Sequence, residues 1–200
     1  PSDANALTLS AQTIARSYIT GFDTSTPRDT DLRQQTVTLD HRFTPDTPLI
    51  DLHSILYHTG TEVAQDALTP DLTPTGAHRR YGTATTGLRL TNIARFDTGP
   101  VAHELTLTLE AFEDRVTTDD PGNDSLTPSG TRSVWSLNAA DRLLIGETAV
   151  TLGLSGDGYR LSSAEGGSSG TALSPRLAAL AAADKTRPIY VRGDKNLSYG

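Results

Sequence analysis

The amino-acid sequence predicts an all-β chain whose strands run antiparallel. Apolar and polar residues alternate with a period of two in several stretches, as they do in strands that have one apolar face. Threonine, a β-branched residue suited to strands with a polar face, occurs 30 times among the 200 residues. Segments rich in glycine, proline, aspartate and serine separate the alternating stretches, and they divide the chain into strands and connections.

Eight or nine strands are predicted, and the apolar positions of the two clearest ones define one face of the sheet. These positions are Val37, Leu39, Leu105, Leu107 and Leu109. If that face meets lipid, the five side chains are exposed in the isolated chain, whereas a soluble β-domain buries them. In chain order, the predicted strands cover residues 7–13, 34–43, 49–58, 87–96, 103–110, 131–142, 148–154, 171–182 and 188–192.

The connections between these strands are predicted to alternate in length. The long ones are residues 14–33, 59–86, 115–130 and 155–170, and the short ones are residues 44–48, 97–100, 143–147 and 183–187. Phe43 and Phe96 lie beside short connections, and Tyr57 and Phe112 lie near the opposite strand ends, as in two aromatic girdles. These features are typical of outer-membrane β-barrels. The sequence therefore predicts an antiparallel meander that forms a segment of such a barrel, with long outer loops and short periplasmic turns.

Composition and spacing argue against several other classes of protein. No stretch approaches the roughly 18–20 consecutive apolar residues of a membrane-spanning helix. The net charge of −7 and the lack of a basic cluster longer than Arg79-Arg80 exclude nucleic acid as an expected partner. The chain has no cysteine, its five histidines lack the spacing of a metal site, and no nucleophile motif is present. We therefore expect no metal site and no catalytic residues, and hence no enzyme.

Several motifs follow one another in an order that matches a known family. Residues 39–43 read L-D-H-R-F and residues 48–52 read P-L-I-D-L, and they are followed by G-L-R-L-T-N at 87–92, T-P-S-G-T-R at 127–132 and S-P-R-L at 174–177. This series resembles the barrel of TonB-dependent receptors of the haem, haemoglobin and transferrin group. The resemblance covers about residues 5–180.

The resemblance implies that residues 1–200 are a barrel segment in the outer membrane of a Gram-negative bacterium. It implies TonB-dependent uptake of haem or another iron source, with no covalently bound cofactor. The implied partners are outer-membrane lipid, the TonB energy-transducing system and a haem or iron-carrier ligand. Candidate haem contacts lie in a predicted outer loop, where His78 or Tyr81 ligates the iron and Arg79 and Arg80 pair with the propionates.

The C-terminal residues carry a second resemblance. The alanine- and leucine-rich residues 177–185 and the D-K-N-L-S-Y-G at 194–200 resemble the periplasmic domain of ExbD and TolR proteins. This alternative divides the chain into a barrel segment at 1–170 and an α/β piece at 171–200, with a helix over 173–183. It implies a periplasmic energy-coupling module. A third alternative is a soluble β-rich structural protein of a virion or fibre, for which abundant threonine and absent cysteine are equally natural.

Overall fold

One antiparallel sheet contains all the strands of the computed structural model, which describes residues 4–121, 128–181, 189–194 and 197–198. The strands are β1 (Asn5–Thr20), β2 (Arg28–Phe43), β3 (Leu52–Leu68), β4 (Pro74–Thr98), β5 (Val101–Asp119), β6 (Gly130–Ile145), β7 (Thr148–Ser163), β8 (Gly166–Ala181), β9 (Ile189–Asp194) and β10 (Leu197–Ser198). Strands β1 to β8 pair in chain order, and the short β9 and β10 both pair with β8. The prediction of an all-β antiparallel meander is confirmed.

The strands are longer than the alternation of residues predicted. Each predicted strand overlaps an observed one, but β4 covers 25 residues, whereas alternation marked only residues 87–96. The connections at 21–27, 69–73 and 164–165 are correspondingly shorter than expected, because the strands continue through segments that had the composition of loops. Polar side chains predominate on both faces of these extensions, so the period-two pattern weakens in the sequence while the backbone pairing continues.

The register assigns each side chain to one of two faces, because residues directly opposite one another share a face. Leu109 lies opposite Leu90 on β4 and Leu137 on β6. Thr108 lies opposite Thr91, and the two hydroxyls are 3.3 Å apart. We call the side of the sheet that carries Leu105, Leu107 and Leu109 the leucine face, and the opposite side the threonine face.

On the leucine face of β5, β6 and β7, apolar side chains lie in the strand halves next to the short turns at 99–100 and 146–147. They run from residue 101 to 111 in β5 and from 135 to 145 in β6, and in β7 they are Val150, Leu152 and Leu154. The stretches in β5 and β6 are about 11 residues long, which matches the roughly 9–11 residues of a tilted strand that crosses a bilayer. We call this region the apolar band.

The apolar band has no core to pack into within the described part of the chain. Leu68 is the only buried hydrophobic residue there. Val37, Leu107 and Leu109 are 46%, 41% and 38% exposed, as predicted for a lipid-facing surface. Their neighbours on the same face half-bury Leu39 and Leu105. The arrangement is that of one wall of a barrel, and it contradicts the sealed core that a soluble β-domain requires.

None of the described residues forms a helix, and so none supplies a helix long and apolar enough to cross a membrane. The helix predicted over 173–183 from the ExbD and TolR resemblance is therefore wrong as far as residue 181, because β8 continues without a break through this segment. Residues 182 and 183 lie outside the described residues. Residues 173–181 pair with β7 over their whole length, from Leu173 opposite Gly156 to Ala181 opposite Thr148.

The aromatic residues divide between the two faces differently from the prediction. Phe43 and Phe96 lie on the leucine face beside connections, as expected for a girdle. Tyr57 and Phe112 lie opposite Gly87, on the threonine face, so the prediction that they belong to a lipid-facing girdle is wrong. Alternation along β5 separates Phe112 from Leu109, because positions an odd number of residues apart along a strand lie on opposite faces.

One pair of ionisable side chains interrupts the apolar band near the short turns. His103 Nδ1 lies 2.8 Å from Asp141 Oδ2, and the two side chains are 14% and 25% exposed. His103 Nε2 lies 2.6 Å from the Thr98 hydroxyl, and its ring stacks on Phe96 at 4.7 Å between centroids. One oxygen of the Asp141 carboxylate is therefore paired, while the other, Oδ1, is buried with no hydrogen-bond partner among the described residues.

Candidate functional site

The four candidate haem contacts lie within β4 rather than in a loop, and strand alternation separates them. Arg79 and Tyr81 lie opposite Gln65 and Val63, which places them on the threonine face. His78 and Arg80 are on the leucine face, beyond the apolar band. The structure therefore brings Arg79 and Tyr81 together, with the guanidinium 5.4 Å from the centroid of the phenol ring. It does not bring all four side chains to one ligand.

Arg79 and Tyr81 belong to a hydrogen-bonded chain of side chains that crosses several strands. Tyr81 donates its hydroxyl to Asp120 Oδ2 at 2.7 Å, and an Arg79 nitrogen lies 3.7 Å from the same oxygen. Arg79 Nε donates to the side-chain oxygen of Gln65 at 2.6 Å. The Gln65 amide donates in turn to the hydroxyl of Thr30, which is 1% exposed. This network holds the extensions of β2, β3 and β4 in fixed positions.

The network also shifts the pKa of Tyr81. The hydrogen bond to the Asp120 carboxylate raises the pKa of the Tyr81 phenol above its usual value, and partial burial adds to the effect. The phenol therefore stays protonated at neutral pH. A protonated phenol that already donates to a carboxylate suits hydrogen bonding better than iron ligation, which favours the phenolate.

A second arrangement on the threonine face was missed by the sequence analysis. Arg132 Nε donates to Asp114 Oδ2 at 2.9 Å, the guanidinium lies 5.5 Å from the Phe112 ring centroid, and the Thr85 hydroxyl donates to Asp114 Oδ1 at 2.7 Å. Asp114 is thereby held from two sides. No local pattern links residues on three different strands, so only the register could reveal this group.

These side chains border a hollow of about 520 Å³. Val116 and Leu161 give it apolar walls, and Arg132 and Asp114 give it a charged border. Its size lies within the range of about 300–1,000 Å³ that small-molecule sites occupy. The hollow lies beyond the level of the apolar band, at the same end of the sheet as Arg79 and Tyr81.

Next to the apolar band, the threonine face is a wall of paired charges. Arg89 donates to Glu110 Oε2 at 2.6 Å, and Arg95 donates to Glu104 Oε2 at 3.0 Å. These pairs join neighbouring strands and leave a polar, wettable surface. No group of three or more histidine, aspartate or glutamate side chains is placed to hold a metal ion within the described ranges.

Comparison with known proteins identifies the architecture. No family model matches the sequence, and a search of curated proteins finds no match. Among solved structures, the chain is similar to the hemophore receptor HasR of Serratia marcescens, solved as a double mutant with its hemophore HasA and heme, with a TM-score of 0.68 and 20% identity. It is also similar to BauA, the ferric preacinetobactin receptor of Acinetobacter baumannii, with a TM-score of 0.67 and 14% identity.

These matches are partial in length but extensive over the present chain. They cover 90% of the chain and 32% of HasR, and 100% of the chain and 38% of BauA. The chain thus spans about a third of each receptor structure. At this level of identity the likeness shows the fold: the chain has the fold of part of the barrel wall in these two structures.

Proposed function

We propose that this chain forms part of the wall of an outer-membrane receptor that takes up haem or another iron chelate in a TonB-dependent manner. The observation that carries the proposal is the division of one sheet into a lipid-sized apolar band on one face and a wall of polar pairs on the other. Such a wall separates lipid from a wet lumen and performs no catalytic step. The likeness to haem and siderophore receptors supports the choice of ligand class.

In this proposal, the short turns face the periplasm and the strand extensions project outside the cell, as in other outer-membrane barrels. The threonine face lines the lumen. Ligand binds at the outer end, and energy from the inner membrane releases it inward through other parts of the receptor. On this wall, Arg79 and Tyr81 contact the ligand: the guanidinium attracts an anionic group such as a carboxylate, and the phenol supplies an edge for an aromatic ring. His78 and Arg80 point away from the lumen.

Growth on a single iron source tests this function. A strain that depends on this protein is grown under iron limitation with haem or a ferric chelate, with and without a working TonB system. We expect growth only when TonB is present. Arg79→Ala should weaken ligand binding several-fold, whereas His78→Ala, one residue away on the other face, should leave it unchanged. Growth without TonB, or no binding of either ligand class, would overturn the proposal.

A further inference from the structure

An aromatic row crosses the threonine face level with the outer edge of the apolar band, and nothing above assigns it a role. Its rings are Tyr57 on β3, Phe112 on β5 and Tyr159 on β7, and the register places all three in one line across the sheet. The other members of the line are Gly87, Val134 and Gly170. We propose that this aromatic row is a second, inner binding site, on which the planar conjugated ring system of an anionic ligand such as a porphyrin stacks.

Glycine gives each tyrosine ring its place in the row. A Cβ at Gly87 would lie 2.3 Å from the Tyr57 ring, and a Cβ at Gly170 would lie 2.7 Å from the Tyr159 ring. Each ring therefore extends over the neighbouring strand, in space that a larger residue would occupy. Tyr159 is 44% exposed, and Tyr57 and Phe112 are half-buried, so the row presents aromatic surface to the lumen rather than to a core.

A guanidinium supplies positive charge beside the row. The Arg132 guanidinium lies 5.5 Å from the centroid of the Phe112 ring, a distance at which a cation and a ring attract each other. Arg132 donates to Asp114 Oδ2, but its side chain is 54% exposed, whereas that of Asp114 is 14% exposed. A guanidinium has more N–H donors than one carboxylate oxygen uses, so Arg132 can bind a further carboxylate from the lumen side. The row therefore suits a ligand that joins a flat ring system to an anionic group.

The hollow of about 520 Å³ described above gives such a ligand room. Asp114, Arg132 and Leu161 form the next line across the sheet, outward of the aromatic row, and all three border the hollow. A ligand that stacks on the row with a carboxylate at Arg132 extends into this space, where Leu161 adds apolar contact. The row, the guanidinium and the hollow therefore form one site.

The spacing of the rings favours a wide conjugated ligand. Phe112 and Tyr159 stand on strands two spacings apart, which is about 10 Å across the sheet. A single aromatic ring, such as that of a catecholate, covers one of them at a time, whereas a porphyrin macrocycle reaches both. The row is also distinct from the contact at Tyr81, because Gly87 follows Tyr81 by about 20 Å of strand at roughly 3.3 Å per residue. A ligand that leaves the outer contact meets the row on its way inward.

Binding of a metal-free porphyrin tests this inference, which rests on the proposed function because the threonine face must line the lumen. The full-length receptor in lipid nanodiscs is titrated with deuteroporphyrin IX, which carries carboxylates but no iron, and empty nanodiscs give the blank. We expect Phe112→Leu with Tyr159→Leu to weaken binding at least about tenfold, because two stacking contacts are lost. Tyr159→Phe keeps the ring and should bind as the wild type does. Trp135→Leu removes a ring at the same height on the leucine face and should also leave binding unchanged.

The neutral dimethyl ester of the same porphyrin separates the contribution of charge from that of stacking. Arg132→Gln should weaken binding of the dicarboxylate several-fold and leave binding of the ester unchanged, because only the dicarboxylate pairs with the guanidinium. The double leucine variant should weaken binding of both. Citrate, an anion without a ring, should not displace either porphyrin at millimolar concentration.

Equal affinity of the double leucine variant and the wild type would overturn the inference, as would an equal loss in Trp135→Leu. Displacement of the porphyrin by citrate would indicate a general anion site instead of a stacking site. A wild-type receptor that binds a ferric chelate but no porphyrin refutes only this inference. A wild-type receptor that binds neither refutes the proposed function as well.

Discussion

Leu107→Arg is the substitution that separates a lipid-facing wall from a sheet in water. Leu107 lies near the middle of the apolar band on β5 and is 41% exposed. In water, a surface substitution of this kind changes the free energy of unfolding by about 0.5 kcal/mol or less. In a bilayer, arginine on the lipid face at the midplane destabilises a barrel by about 2–4 kcal/mol. That difference lowers the folding equilibrium constant in vesicles about 30- to 700-fold.

Urea-induced unfolding of the protein in lipid vesicles measures this difference. Thr117→Arg is the control, because Thr117 lies on the same strand and face but beyond the apolar band. It should change the free energy of unfolding by less than about 1 kcal/mol, as expected close to or outside the interface. Equal effects of the two substitutions, or a cost below about 1 kcal/mol for Leu107→Arg, would refute the assignment of the leucine face to lipid.

Two further predictions concern single side chains. A Cβ at Gly158 would lie 2.4 Å from the Trp135 ring, so Gly158→Ala should displace the indole and shift its fluorescence emission. It should also lower the free energy of unfolding by about 1–3 kcal/mol. Gly153→Ala is the control and should have none of these effects, because the closest contact of a Cβ at Gly153 is 3.5 Å. The phenol of Tyr81 should ionise above the usual tyrosine pKa, and Asp120→Asn should lower its midpoint in an absorbance titration. Because the folded-state pKa is raised, this contribution to stability is present below about pH 10 and is lost as the pH rises further; an unchanged midpoint in the variant would contradict the assignment.

The sequence predicted the strands of the apolar band well, and for a clear physical reason. Leu105, Leu107 and Leu109 share one face of the strand, and Thr106 and Thr108 share the other. Because the two faces meet different media, apolar and polar residues alternate along the sequence. Beyond the band both faces meet water. The alternation ends there, and the extensions of the same strands resemble loops.

The candidate site was harder to predict, because it depends on pairing between distant segments. The four residues His78, Arg79, Arg80 and Tyr81 were predicted together as contacts in one loop, and their separation onto two faces follows from strand geometry that the loop assignment had hidden. Asp114 and Arg132 meet through register alone. The helix implied by the second resemblance was wrong because pairing with β7 holds the alanine- and leucine-rich segment as a strand, and that pairing overrides the helix propensity of its residues.

Trp135 is the most direct reporter of the central claim, that the leucine face of this sheet meets lipid. It is the only tryptophan of the chain, and it is 44% exposed in the isolated sheet. It lies on the leucine face, at the end of the apolar band that is farther from the short turns. The measurement is quenching of its fluorescence in vesicles by lipids brominated on the acyl chain, compared with quenching by aqueous iodide. The account predicts blue-shifted emission that is quenched by the brominated lipids and protected from iodide. Emission typical of water, with efficient quenching by iodide and none by the brominated lipids, would contradict it.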